Sequence, residues 1–262
     1  MKKLITVLAG TVAALSMSAQ LAFADIKVGI AAEAYPPFAE KAADGSWKGW
    51  EVEIIGAVCA AMKEKCEIVP VAWDGIIPAL LAKKMDVIMA SMSITEERQK
   101  TIAFSEKYYN TPAVIVAPKG SSISGDPASV KGKIVGVQVS TIHANYVEKH
   151  FGDADAKSYN TFDEHNQDLV AGRVDAVVGD SLAMAPFLSS DAGKGFEIKG
   201  ELNDVAVFGP GVGGGMRKKT LILQLNLMQR SSKSAKMAHT VKSRRSISTS
   251  TFTAANRKRD LA

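Results

Sequence analysis

Residues 73–109 read WDGIIPALLAKKMDVIMASMSITEERQKTIAFSEKYY. Three elements follow one another inside this stretch. Residues 75–82 carry the apolar spacing of a helix, and residues 87–90 form the short apolar run of a buried strand. Ser93-Ile94-Thr95-Glu96 has the spacing of a capping box and opens a short helix through Lys100. A strand at 67–71 precedes them. Strand, helix, strand, helix in that order is the signature of an α/β sheet. Ligands of such sheets gather at the carboxyl ends of strands and at helix N-termini. Ser91, Ser93 and Arg98 lie where the buried strand ends and the short helix begins.

The same alternation extends outward. Residues 26–30 read as a strand, and 47–50 as a short strand after the Asp44-Gly45 turn signal. Residues 52–62 read as a helix, with Glu51 and Glu53 at its N-terminal end, where the helix dipole favours acids. Residues 114–117 form another strand. The pattern then restarts, with strands at 134–137, 156–159 and 176–178 alternating with helices at 142–149, 164–171 and 181–188. Residues 205–208 and 211–216 bring in further strand and glycine. Two such runs imply two α/β lobes, the first over 25–115, the second over 116–207, and a return to the first over 208–218. The joins near 113–119 and 206–211 are the expected hinge, with the ligand cleft between the lobes.

The amino terminus speaks for export. Lys2 and Lys3 precede an apolar run at 4–15, and Ala22-Phe23-Ala24 is a small-x-small cleavage site. That is the layout of a secretory signal peptide spanning 1–24, cleaved after Ala24, and the run is too short for a membrane span. Hydrophobic residues at 47% and charged residues at 23% are ordinary for a globular protein. The two cysteines, Cys59 and Cys66, read first as a disulfide in an oxidising compartment. In one continuous helix their Cα atoms would stand roughly 10 Å apart, so a bridge requires the helix to end near residues 63–65. Two unpaired thiols remain the alternative; a zinc site would need more ligands. The net charge of +5 comes from the tail: from Arg217 onward there are twelve Lys or Arg and one acid, Asp260. The body is acidic, so a nucleic-acid or membrane-surface reading rests on that tail alone.

The chain resembles the periplasmic solute-binding proteins of polar amino-acid ABC transporters, the extracellular family 3 proteins, including lysine/arginine/ornithine and opine binders. The resemblance is carried by AYPPF at 34–38, GWEVEII at 49–55, Cys59 and Cys66 at the family's disulfide spacing, and residues 73–109 above all. It continues through KGKIVGVQVST at 131–141, LVAGRVDAVVGD at 169–180 and FGPGVGGGMRK at 208–218. It implies a two-lobed type II periplasmic binding-protein fold. It also implies a non-catalytic periplasmic component that captures a polar amino acid or opine for uptake. The implied partners are that small ligand and an inner-membrane ABC permease. No cofactor, metal or nucleic acid is expected, and a monomer is expected.

The site residues implied by the resemblance form a trap for a zwitterion. Arg98 takes the ligand carboxylate with its planar fork, with Ser91, Ser93 and Thr141 as supporting donors. Asp180 takes the α-ammonium. Tyr35 and Trp73 stack on the ligand side chain, where a cation would add a cation–π attraction. Plainer readings stand beside these: a surface helix arginine for Arg98, a helix N-cap for Asp180, core aromatics for Tyr35 and Trp73. The chain departs from the lysine/arginine binders at Ala32, which stands where they carry the carboxylate for the ligand's distal charge. Glu33 is the nearest acid. If it turns into the cleft the ligand is cationic or opine-like; if it faces solvent a neutral polar amino acid fits better. Ala90 also replaces a serine common in the cationic binders. Rival readings are a cyclohexadienyl dehydratase-like enzyme on the same fold and a binder using the basic tail. No Ser-His-Asp, metal-ligand or phosphate-loop spacing supports an enzyme. His143 lies near Thr141 but reads as a helix-surface histidine.

Residues 219–262 break the resemblance. The family ends with segments like Asn-Gly-Thr-Tyr and Ile-Tyr-Gly-Gly. The codons for residues 236–240 and for 252–255, both read one base earlier, permit these two segments in one register. A frameshift near 218–220 accounts for both, and leaves open a non-functional product.

Overall fold

The computed structural model describes residues 25–218. The expected signal peptide (1–24) and anomalous tail (219–262) lie outside these residues. The chain opens with β1 (Ile26–Ala31), a small hairpin of β2 (Glu40–Lys41) and β3 (Trp47–Lys48), and helix α1 (Trp50–Met62). α1 stops because Lys63 turns left-handed, with φ 59°. Its N–H bonds Ala60 O, and Glu64 N–H bonds Cys59 O. That reversal brings the Cα atoms of Cys59 and Cys66 to 6.1 Å, and the disulfide ties α1 to the first residue of β4 (Cys66–Val71). A 3₁₀ turn at Trp73–Gly75, α2 (Ile76–Leu81), β5 (Val87–Ile88), α3 (Glu96–Thr101) and β6 (Ala103–Phe104) follow. The cap of α3 is Thr95, whose hydroxyl accepts from Arg98 N–H, and not Ser93 as the spacing suggested.

The second sheet starts at β7 (Ala113–Pro118), followed by β8 (Ile134–Gln138), α4 (Ile142–His150), β9 (Asp155–Tyr159), α5 (Phe162–Val170), β10 (Ala176–Asp180), α6 (Ser181–Ser189) and β11 (Phe196–Leu202). Its order is β11-β7-β10-β8-β9. β7 runs antiparallel to β10 and β11, while β8, β9 and β10 are parallel. β7 is buried on both faces: Ile115 and Ala117 enter one core with Val135 and Tyr146, and Val114 and Val116 enter another with Phe162 and Met184. A strand covered on both sides reads as an unbroken apolar run, as 113–117 does. β11 escaped the sequence reading because its burial does not alternate. Residues 205–208, expected as strand, form the single helical turn α7 (Val205–Phe208). Asp204 accepts from the N–H groups of Ala206 and Val207 and winds the segment against its β-branched preference.

The final described strand, β12 (Gly215–Met216), returns to the first sheet, giving the order β4-β1-β5-β12-β6. It is antiparallel to both β5 and β6. The chain therefore passes between the sheets twice, over 105–112 and 203–214. The crossing expected near 113–119 falls on β7, all six residues of which pair within the second sheet. The two passages touch: Val212 bridges both Tyr109 and Ser93. Gly209 has φ 70°, and a Cβ there would sit 1.8 Å from Ile94 O, so only glycine fits. The whole is an α/β architecture of two five-stranded sheets, each in its own domain, with the two passages between them.

Candidate functional site

One cavity of about 520 Å³, part of it open solvent, collects the carboxyl ends of strands from both sheets. β1 leads to Glu33 and Tyr35, β4 to Trp73, β5 to Ala90, Ser91, Ser93 and, one helical turn on, Arg98. The opposite wall is Gln138 at the end of β8, Thr141 just after it, Asp180 at the end of β10, and Phe162. All eight residues singled out from the sequence line this cavity.

Arg98 is held in place by neutral acceptors. Its Nη1 donates to Ser93 O at 3.0 Å and its Nη2 to Ser140 O at 3.4 Å. Its guanidinium lies 5.4 Å from the Trp73 ring centroid. Burial lowers its pKa to about 10, so it remains a cation at neutral pH. The Trp73 indole N–H donates to the same Ser140 carbonyl at 3.1 Å. Ser140 has φ 59°, which turns that carbonyl toward the first domain. Glu33 lines the cavity, and both of its carboxylate oxygens accept the Trp73 backbone N–H at 3.2 Å.

Asp180 occupies the N-cap position of α6 but makes no side-chain cap bond. It is 6% exposed, and it accepts the Tyr35 hydroxyl from across the cleft. Burial, then the Asp180 charge, hold the Tyr35 hydroxyl protonated by raising its pKa. His143 Nε2 stands 3.4 Å from the other Asp180 oxygen. His143 is buried and lines the cavity, contrary to the helix-surface reading. Ile142, His143, Tyr146 and Val147 form the inward face of α4, and that spacing was the signal that could have found it.

Two hydroxyls expected as donors are committed elsewhere. Thr141 Oγ1 donates to Gln138 O at 2.7 Å and accepts Ala144 N–H as the cap of α4. Ser91 donates both its N–H (3.0 Å) and its hydroxyl (2.9 Å) to Glu51. Glu51 was read only as a helix-dipole acid, yet it is 1% exposed. Among the described residues no group of three or more His, Cys, Asp or Glu could hold a metal ion. Among the described residues the cleft thus offers one fixed cation, Arg98, and two acids, Glu33 and Asp180.

Residues 26–130 match the family described as bacterial extracellular solute-binding proteins, family 3. The chain is 43% identical over 222 residues to the L-arginine-binding protein of Pseudomonas aeruginosa, covering 83% of this chain and 85% of that protein. It is 37% identical over 220 residues to the histidine-binding periplasmic protein of Salmonella typhimurium, covering 79% and 85%. Among solved structures, an ancestral arginine-binding protein bound to glutamine matches with a TM-score of 0.76 at 33% identity. That match covers 85% of this chain and 96% of the other.

Proposed function

Because this chain belongs to the bacterial extracellular solute-binding proteins, family 3, and is a periplasmic binding component, we propose that its cleft captures an amino acid with a cationic side chain, arginine first among them. The observation that carries this is an acid in the cavity wall, Glu33, its carboxylate held at the backbone of Trp73. Arg98 and Asp180 answer the carboxylate and ammonium that every amino acid has. Glu33 adds a second negative charge, which a neutral side chain would leave unanswered in a partly dry site. Trp73 and Tyr35, aromatic members of the same wall, favour the same cation. The names of the similar arginine- and histidine-binding proteins agree. The matching family is one of solute-binding proteins, which supports reading the two acids as counter-ions rather than as an acid–base pair.

The finer reading has three further parts. The ligand-bound chain is handed, as a monomer, to an inner-membrane ABC permease. Residues 1–24 direct export, with cleavage after Ala24. The hinge is the pair of passages at 105–112 and 203–214. A thermal-shift and calorimetric panel of arginine, lysine, ornithine, histidine, glutamine and glutamate tests the ligand assignment. Arginine or another basic amino acid should raise Tm most, by several degrees at a hundredfold excess over Kd. Glutamine or glutamate binding as tightly as every basic member would overturn it.

A further inference from the structure

Glu51 is a buried acid of the first domain that the pairing of ligand charges does not use. It is the second residue of α1 and accepts three hydrogen bonds: the N–H and hydroxyl of Ser91 and the hydroxyl of Tyr108. All three partners are neutral. Burial raises its pKa, and the three donors oppose that rise. The N-terminal end of α1 favours its negative form as well. A carboxylate with three donors converging on two oxygens is satisfied as the anion.

That bonding fixes the chemistry of Ser91. A serine hydroxyl has one proton and two lone pairs. Ser91 lines the cavity and its hydroxyl proton goes to Glu51, so toward a ligand the oxygen offers only lone pairs. The N–H of Ser91 is consumed in the same way, and its left-handed backbone, φ 53°, accompanies the arrangement. Such an oxygen suits an ammonium, which only donates, and repels a carboxylate, which only accepts.

We propose that Glu51 is a positioning residue that holds the Ser91 hydroxyl as an acceptor, so that the cleft selects ligands carrying an α-ammonium over otherwise identical ligands without one. This rests on the cleft binding an amino acid, as proposed above. Glu51→Gln keeps the size but presents an amide N–H to Ser91, which turns the serine proton toward the cleft. Ser91→Ala removes the hydroxyl itself.

Calorimetry on the full chain compares arginine with 5-guanidinopentanoate, the same molecule without its α-amino group. Glu51→Gln should weaken arginine binding about tenfold or more, the scale of a hydrogen bond to a charged group, and change 5-guanidinopentanoate less than twofold. Ser91→Ala should show the same selective loss, and the double variant no more than Ser91→Ala alone. Equal loss for both ligands, or no loss for arginine, would overturn the assignment. If circular dichroism shows Glu51→Gln unfolded, Ser91→Ala decides alone: full retention of the preference for arginine sinks the idea. If the unsubstituted chain binds neither arginine nor any other amino acid, the function proposed above falls first. If it binds and the variants behave as the parent, only the role of Glu51 falls.

Discussion

Arg98 stays a cation although its surroundings work against it. Carbonyls of Ser93 and Ser140, not carboxylates, hold its guanidinium, so its charge is left for a ligand. Glu33 is in the matching position on the acid side, bonded to a backbone N–H and, among the described residues, to no cation. Glu33→Gln should therefore weaken arginine binding roughly ten- to a hundredfold and leave glutamine binding nearly unchanged, as measured by titration calorimetry. Equal weakening of both would mean that Glu33 only shapes the wall. The gathering of Arg98, Asp180, Tyr35 and Trp73 was legible through the resemblance, and their places at strand ends or in a helix's first turn agreed with it. Which way a hydroxyl proton points was not legible. Ser91 and Thr141 give their protons to Glu51 and Gln138, partners 40 and 3 residues away, and residue type alone does not choose between them. His143 was misjudged for a related reason: a polar side chain on an inward helix face looks the same in sequence as one on an outward face.

At the scale of elements, the join of α1 and β4 depends on chain reversal at Lys63, where no glycine supplies the left-handed turn. The Cys59–Cys66 link spans a sequence separation of 7, so on the chain-entropy view it contributes about 2 kcal/mol. Replacing both cysteines with alanine should lower the urea midpoint accordingly, with the slope of the transition nearly preserved. An unchanged midpoint would show that the reduced chain already holds the reversal. The need for a helix stop before Cys66 was readable from helical rise alone. α7 and β11 were not readable, since a four-residue turn made by one aspartate and a strand without alternation lack the periodicities on which such reading depends.

Across the whole molecule, the two domains are latched by contacts that cross the cleft. Tyr35 bonds Asp180, Trp73 and Arg98 share the Ser140 carbonyl, and Asn145 reaches Glu97 at 3.5 Å. A few polar bonds across the cleft, with two passages joining the domains, make a closure that a ligand can bias. Small-angle scattering should show a smaller radius of gyration at saturating arginine, and Trp73→Phe, which lacks the indole N–H, should need more ligand to reach it. Superimposable curves with and without ligand would exclude such closure. The two-domain plan was visible as an alternation that starts twice, but the return strand was not placed by it. β12 sits between β5 and β6, inside the sheet that the chain began about two hundred residues earlier. The second sheet is built from one unbroken stretch, 113–202, and can assemble as soon as that stretch is free. The first has to wait for Gly215 and Met216, with two strand edges open until they arrive. A chain threaded amino-end first through a membrane therefore cannot lock its leading half into shape before its trailing half has crossed.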